Sequence, residues 1–179
     1  MNKETLKSFL EEAFAQAKNI AETANQTALF ARPSEDKWSA AENLQHLSQS
    51  VAQLNNLLAK GKDFMVEKWG KANWQSRPYD EILDLYNQGL KTTFKAFGPF
   101  LPVIETGDSV TDLVANFDHL NDQLLAFFEN DFTEEQLDTI VIPHPALKAL
   151  TAREMFYFTA LHTKHHASLM VSRLLSVAA

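Results

Sequence analysis

Along most of this chain apolar residues recur at three- and four-residue steps, the spacing that lays one apolar stripe along an α-helix. From about Lys3 to Leu29 the stripe consists of Leu6, Phe9, Leu10, Ala13, Phe14, Ala17, Ile20 and Ala21, which predicts a first long helix. Residues 31–36 break the pattern, and Ser39 followed by Glu42 forms a capping box that opens a second helix running to about Lys60. Gly61 ends it, and the stretch to Pro78 has no clear period and is expected to be a loop. Helical spacing resumes with Ile82, Leu83, Leu85, Tyr86 and Leu90, is interrupted at Gly98-Pro99 and Pro102, and returns from near Thr111 to Phe128. A short capped turn is expected at Phe132 to Glu135. The triplet Ile140-Val141-Ile142, followed by two prolines, reads as extended chain or loop. Thr151 and Glu154 form a second capping box, and the helix they open runs to about Val177 without proline or glycine.

This pattern is all-α, with four long helices. On a wheel of the last helix His166 lies about 40° from His162, and Met155, Phe158 and Leu169 share that side. The opposite side is also apolar, through Phe156, Val171, Leu174 and Leu175. That helix is therefore either central or covered by a second copy of the chain, and a homodimer is expected.

Composition narrows the function classes. A length of 179 residues suits a single domain, 1–179. The formal net charge of −7 with no basic cluster argues against a grip on phosphate backbones, so no nucleic-acid partner is expected. No apolar run approaches the ~20 residues that span a bilayer, and the first residues lack a signal-peptide core, so a cytoplasmic protein without a membrane partner is expected. The absence of cysteine removes disulfides, thiolate ligands and a cysteine nucleophile. The five scattered glycines assemble neither a phosphate loop nor a nucleophile elbow.

The chemistry that remains lies in the histidines. His162 and His166, four apart on one helical face, can converge on one ion as a two-ligand clip. A third ligand from another helix would complete an open three-ligand site. His46 is the candidate, because it flanks the stripe of Leu44, Leu47, Val51, Leu54 and Leu58 at a boundary between core and solvent. A chain with six histidines produces such a pair by chance often enough that spacing alone does not join His46 to His162; a metal-free cluster of core histidines is the alternative. His165 points about 60° off that face and reads as a supporting or interface residue. His144, between two prolines, reads as a turn residue whose loop could overhang the site, and His119 as structural or exposed. Capping accounts for Glu42, with a general-base role as the competing reading, and Trp69 and Trp74 are expected to pack their loop onto the bundle.

Two blocks carry a resemblance to a known family. The segment Trp38-Ser39-Ala40-Ala41-Glu42-Asn43-Leu44-Gln45-His46-Leu47, and the later one from His144 through Thr151-Ala152-Arg153-Glu154 to Leu161-His162-Thr163-Lys164-His165-His166, resemble the DinB/YfiT-like four-helix bundles over nearly the whole chain. Lys148 stands where that family usually has glycine. The resemblance implies an up-down-down-up bundle with a long crossover, and a divalent ion, zinc or nickel, held by His46, His162 and His166. It implies a metal-dependent thiol transferase or hydrolase acting on a small electrophilic molecule, with any low-molecular-weight thiol arriving as cosubstrate. The alternative is a stress-associated metal-binding protein without catalysis.

Overall fold

Four side-chain oxygens start the four long helices by accepting a backbone N–H of the first turn: Asn2 for α1 (Lys3–Thr23), Ser39 for α3 (Ala40–Leu58), Ser109 for α6 (Val110–Asp131) and Thr151 for α8 (Ala152–Val177). Both capping boxes read from the sequence close, Ser39 with Glu42 and Thr151 with Glu154. Shorter elements lie between: α2 (Gln26–Phe30), α4 (Lys62–Trp69), α5 (Tyr79–Thr92), a 3₁₀ turn at Gly98–Phe100, α7 (Glu134–Thr139), and the antiparallel pair β1 (Val141–His144) and β2 (Lys148–Thr151). The structure is a computed structural model and describes residues 1–92 and 95–178.

Contacts along the long helices set their directions. Lys3, at the start of α1, donates to the carbonyls of Glu129 and Phe132 at the end of α6, while Lys18 pairs with Asp118. These two helices are therefore antiparallel. Arg153 donates to the carbonyl of Met1 and Lys164 pairs with Glu12, so α1 and α8 run the same way. Asn43 meets His166 and His46 meets His162, which makes α3 antiparallel to α8. The chain thus forms a four-helix bundle in the order up, down, down, up. Two successive parallel helices need a long return, here residues 59–109.

The core lies along the bundle axis, with Phe14 edge-on to Phe117 at 6.2 Å and Phe128 edge-on to Phe156 at 4.8 Å. Phe156, on the far side of the last helix, is fully buried by the chain's own Phe128 and Phe132. The helix is central, and of its large apolar residues Val171 and Leu175 near its end stay exposed.

Three elements differ from expectation or sharpen it. The first predicted helix stops at Thr23 because Asn25 turns its side chain onto the N–H of Ala28 and caps a separate turn. Residues 62–69, expected as loop, form α4 between Gly61 and Gly70, both at positive φ; of its side chains only Met65 is buried, so no stripe announces the helix. Of the apolar triplet expected as extended chain or loop, Ile140 caps α7 and Val141 and Ile142 begin β1, whose hairpin returns through Lys148 at φ 64°, the left-handed region that favours glycine.

Candidate metal centre

Helices α3 and α8 face each other along their lengths and bring His46, His162 and His166 together, each offering one ring nitrogen within 4.8 Å of the others. Two nitrogens bound to one tetrahedral ion at about 2.0–2.1 Å each stand roughly 3.3 Å apart. The Nε2 atoms of His46 and His162 are 3.0 Å apart, close to that spacing.

The outward nitrogens are anchored. Nδ1 of His46 lies 2.7 Å from the carbonyl oxygen of Phe100, which can only accept, so the ring proton sits on Nδ1 and Nε2 keeps its lone pair. Nδ1 of His166 lies 2.7 Å from Oδ1 of Asn43, whose amide is oriented by donating to the Ser39 carbonyl at 2.7 Å. His166 is thereby fixed in the same tautomer. An N–H donated to an oxygen is the usual support of a metal-ligating imidazole. The same neutral rings could instead share an N–H···N bond between His162 and His46, which is the metal-free arrangement.

Burial holds all three imidazoles below the ordinary histidine pKa, and the neighbouring rings push His162 and His166 further down. They are neutral at pH 7, the form that binds a cation. Trp38 packs on this cluster, 5.1 Å from the His46 ring and 6.3 Å from that of His166. Phe158 stacks on His162 at 5.4 Å.

The histidines form one wall of a cavity of about 920 Å³ whose other walls come from α5, the 3₁₀ turn, the hairpin and the apolar face of α8. Among the described residues no aspartate or glutamate lines it, and Lys95 is its one lysine. Burial raises the phenol of Tyr86, a wall residue, above its usual value. The chain spacing that marked His162 and His166 says nothing of Phe100, whose contribution is a backbone carbonyl. Asn43 was detectable only as a polar residue one turn before His46.

The remaining candidates fall into place separately. Glu42 accepts from Ser39 N at 2.8 Å and from Arg32; burial alone would raise its carboxyl, but these bonds hold it below the ordinary value and both oxygens are engaged away from the histidines. His165 lines the cavity beside Tyr86, and His119 is exposed on α6. Trp69 packs against Phe64, whereas Trp74, expected to pack its loop down, is exposed; neither borders the cavity. His144, expected in a turn, is instead the last residue of β1; its ring accepts the N–H of Leu147 in the turn that follows and lines the cavity.

Comparison with known proteins places this geometry. Residues 10–170 match the DinB superfamily. Among solved structures the chain is similar to YfiT from Bacillus subtilis, described as a probable metal-dependent hydrolase with an unusual four-helix bundle topology; identity is 17%, coverage 98% of this chain and 87% of that one, and the TM-score 0.63. It is similar to a conserved protein of Enterococcus faecalis at 14% identity, covering 99% and 98% with a TM-score of 0.60. It is similar also to the colibactin self-resistance protein ClbS, solved in complex with double-stranded DNA, at 17% identity, covering 96% and 94% with a TM-score of 0.56. No curated protein matches in sequence.

The ClbS complex corrects the expected partners, which were a small-molecule substrate, a second copy of the chain, and neither nucleic acid nor membrane. A protein of this fold is found with a duplex, so a net charge of −7 does not exclude one: net charge sums the whole surface, whereas phosphate contact depends on a local patch. The case for a homodimer rested on the far side of the last helix, where Phe156 is covered within the chain by Phe128 and Phe132 while Val171 and Leu175 stay exposed, and nothing here shows a second copy. Among the described residues no helix is long and apolar enough to cross a membrane. With its bundle order, its crossover and the match over residues 10–170, the chain belongs to the DinB superfamily.

Proposed function

We propose that this chain is a metal-dependent enzyme in which His46, His162 and His166 hold one divalent ion, zinc or nickel, and which acts as a hydrolase or thiol transferase on an electrophile. The observation that supports it most is the pair of anchored tautomers: two of the three rings are already fixed by oxygen acceptors with their Nε2 lone pairs available. When bound there, the ion would supply Lewis-acid chemistry, lowering the pKa of a water or thiol and polarising an oxygen.

The chain's own residues divide the remaining work. Trp38 and Phe158 keep bulk water from the ring nitrogens, and the apolar walls receive the body of the electrophile. Hydrolysis is supported by the description of YfiT. Thiol transfer is supported by the lack of a carboxylate base among the described cavity residues, since a thiol near pKa 8.5 needs less help to ionise than water does. With no cysteine in the chain, that thiol would be a low-molecular-weight cosubstrate.

The test is elemental analysis of protein purified without a histidine tag, followed by ester hydrolysis and thiol-conjugation assays before and after chelation and metal return. One ion per chain with chelator-sensitive turnover is expected. A loaded protein inert in both assays would leave metal binding without catalysis, and protein that takes up no ion would leave the metal-free histidine cluster.

A further inference from the structure

The three histidines lie toward one end of the cavity, and the rest of it runs away from them along two helices. Leu57 follows His46 on α3 by about three turns, or roughly 16 Å, and stands about 20° from it around the helix. Met155 precedes His162 on α8 by about two turns, or roughly 10 Å, again about 20° off. Because α3 and α8 are antiparallel, both residues lie in the same direction from the His46–His162 contact, and both line the cavity. Val51, Leu54 and Ile142 line it as well and, like Met155, are buried.

None of these five side chains is ionisable, and the hydroxyls between them and the histidines are occupied. Oγ of Ser50 donates to the His46 carbonyl at 2.8 Å, Oγ1 of Thr159 to that of Met155 at 2.9 Å, and Oγ1 of Thr163 to that of Thr159 at 2.9 Å. Each proton is spent inside its own helix. The volume of about 920 Å³ stands near the upper end of the range, ~300–1,000 Å³, of sites for drug-sized ligands.

We infer that the site takes an electrophile with a long, uncharged apolar chain, its reacting group at the three histidines and its chain laid along α3 and α8 toward Met155 and Leu57. The position of the reacting group rests on the metal-dependent reading above; the chain site rests on the cavity alone. Each methylene moved from water onto these walls should tighten binding by about three- to fourfold until the chain reaches the far end. A charged end group would lose its hydration there without gaining a partner.

The probes are straight-chain hydroxamates, from acetohydroxamate to dodecanohydroxamate, titrated calorimetrically into zinc-loaded protein. Affinity should climb with each methylene through the octanoyl member, and equal affinity across the series overturns the inference. Met155→Trp fills the path and should lower the ratio of octanohydroxamate to acetohydroxamate affinity by about tenfold or more; taking the ratio cancels any effect on the ion. Leu57→Trp, at a half-buried position with room for the larger ring, should do the same to the ratio for dodecanohydroxamate. Ratios unchanged in both variants, each folded and carrying one zinc, overturn the chain site. Suberic acid monohydroxamate, an octanoyl chain ending in a carboxylate, should bind no better than acetohydroxamate; affinity equal to that of octanohydroxamate overturns the uncharged end. Protein that takes up no zinc overturns the metal reading, and 1-decanol then tests the chain site without an ion. One molecule bound per chain, and lost in Met155→Trp, supports that site, whereas no binding overturns it.

Discussion

Nδ1 of His166 and Oδ1 of Asn43 face each other at 2.7 Å across the α3–α8 interface, both buried. The contact joins a candidate ligand on one helix to a residue one turn before a candidate ligand on the other, so packing of the two helices and aim of the imidazole are a single event. Replacing Asn43 by leucine should leave the bundle folded but lower metal affinity by about 10- to 100-fold, the usual effect of losing such a support. Competition with a chromogenic chelator measures it, and affinity unchanged in Asn43→Leu would refute the role.

His162→Ala removes one of three donors. Loss of stoichiometric zinc and of any metal-dependent turnover is expected, while the metal-free protein remains folded because His162 borders the cavity. Retention of one tightly held ion would show that the three histidines are not the site.

Metal addition should stabilise the native chain by mass action. At a free concentration a hundredfold above Kd the gain is about 2.7 kcal/mol, which for a chain of this size raises Tm by roughly 5–10 °C. Scanning calorimetry with and without zinc reads it directly, and an unchanged Tm contradicts a native-state site.

The metal-free protein should be acid-labile. His46, His144, His162 and His166 all have folded-state pKa values below the ordinary 6.5, so in that interval the unfolded chain binds more protons and stability falls as pH drops. Stability is complete above about pH 6.5, and for His144 the loss extends down to about 4. Thermal melts in steps from pH 7.5 to 5 should show Tm declining below the upper limit; a flat profile would mean these rings are not buried neutral.

Lys148, at φ 64°, occupies a conformation that costs an L side chain energy and glycine little. Lys148→Gly should therefore stabilise the hairpin, by about 0.5–1 kcal/mol in urea unfolding.

The long helices were legible because their information is local: periodic leucines, and Ser39 or Thr151 three residues before a glutamate. The bundle's order became readable only through the resemblance, since no single segment encodes which neighbour it packs on. In α4 and the hairpin the local signal is weak, with one buried side chain in the first and Lys148 in place of a turn glycine in the second. At the site, His162 and His166 could be paired by spacing, whereas His46 lies 116 residues from His162 and the Phe100 carbonyl belongs to the crossover. A backbone oxygen leaves no trace in residue identity.

That span of 116 residues between His46 and His162 has a mechanical consequence. An ion shared by them would act as a reversible staple, closing a loop that contains the whole crossover, α6 and the hairpin, and withdrawing much of its freedom from the unfolded chain. Pulled from its two ends, the loaded protein should yield α1 and the tail of α8 first, with the stapled stretch opening only when the ion leaves.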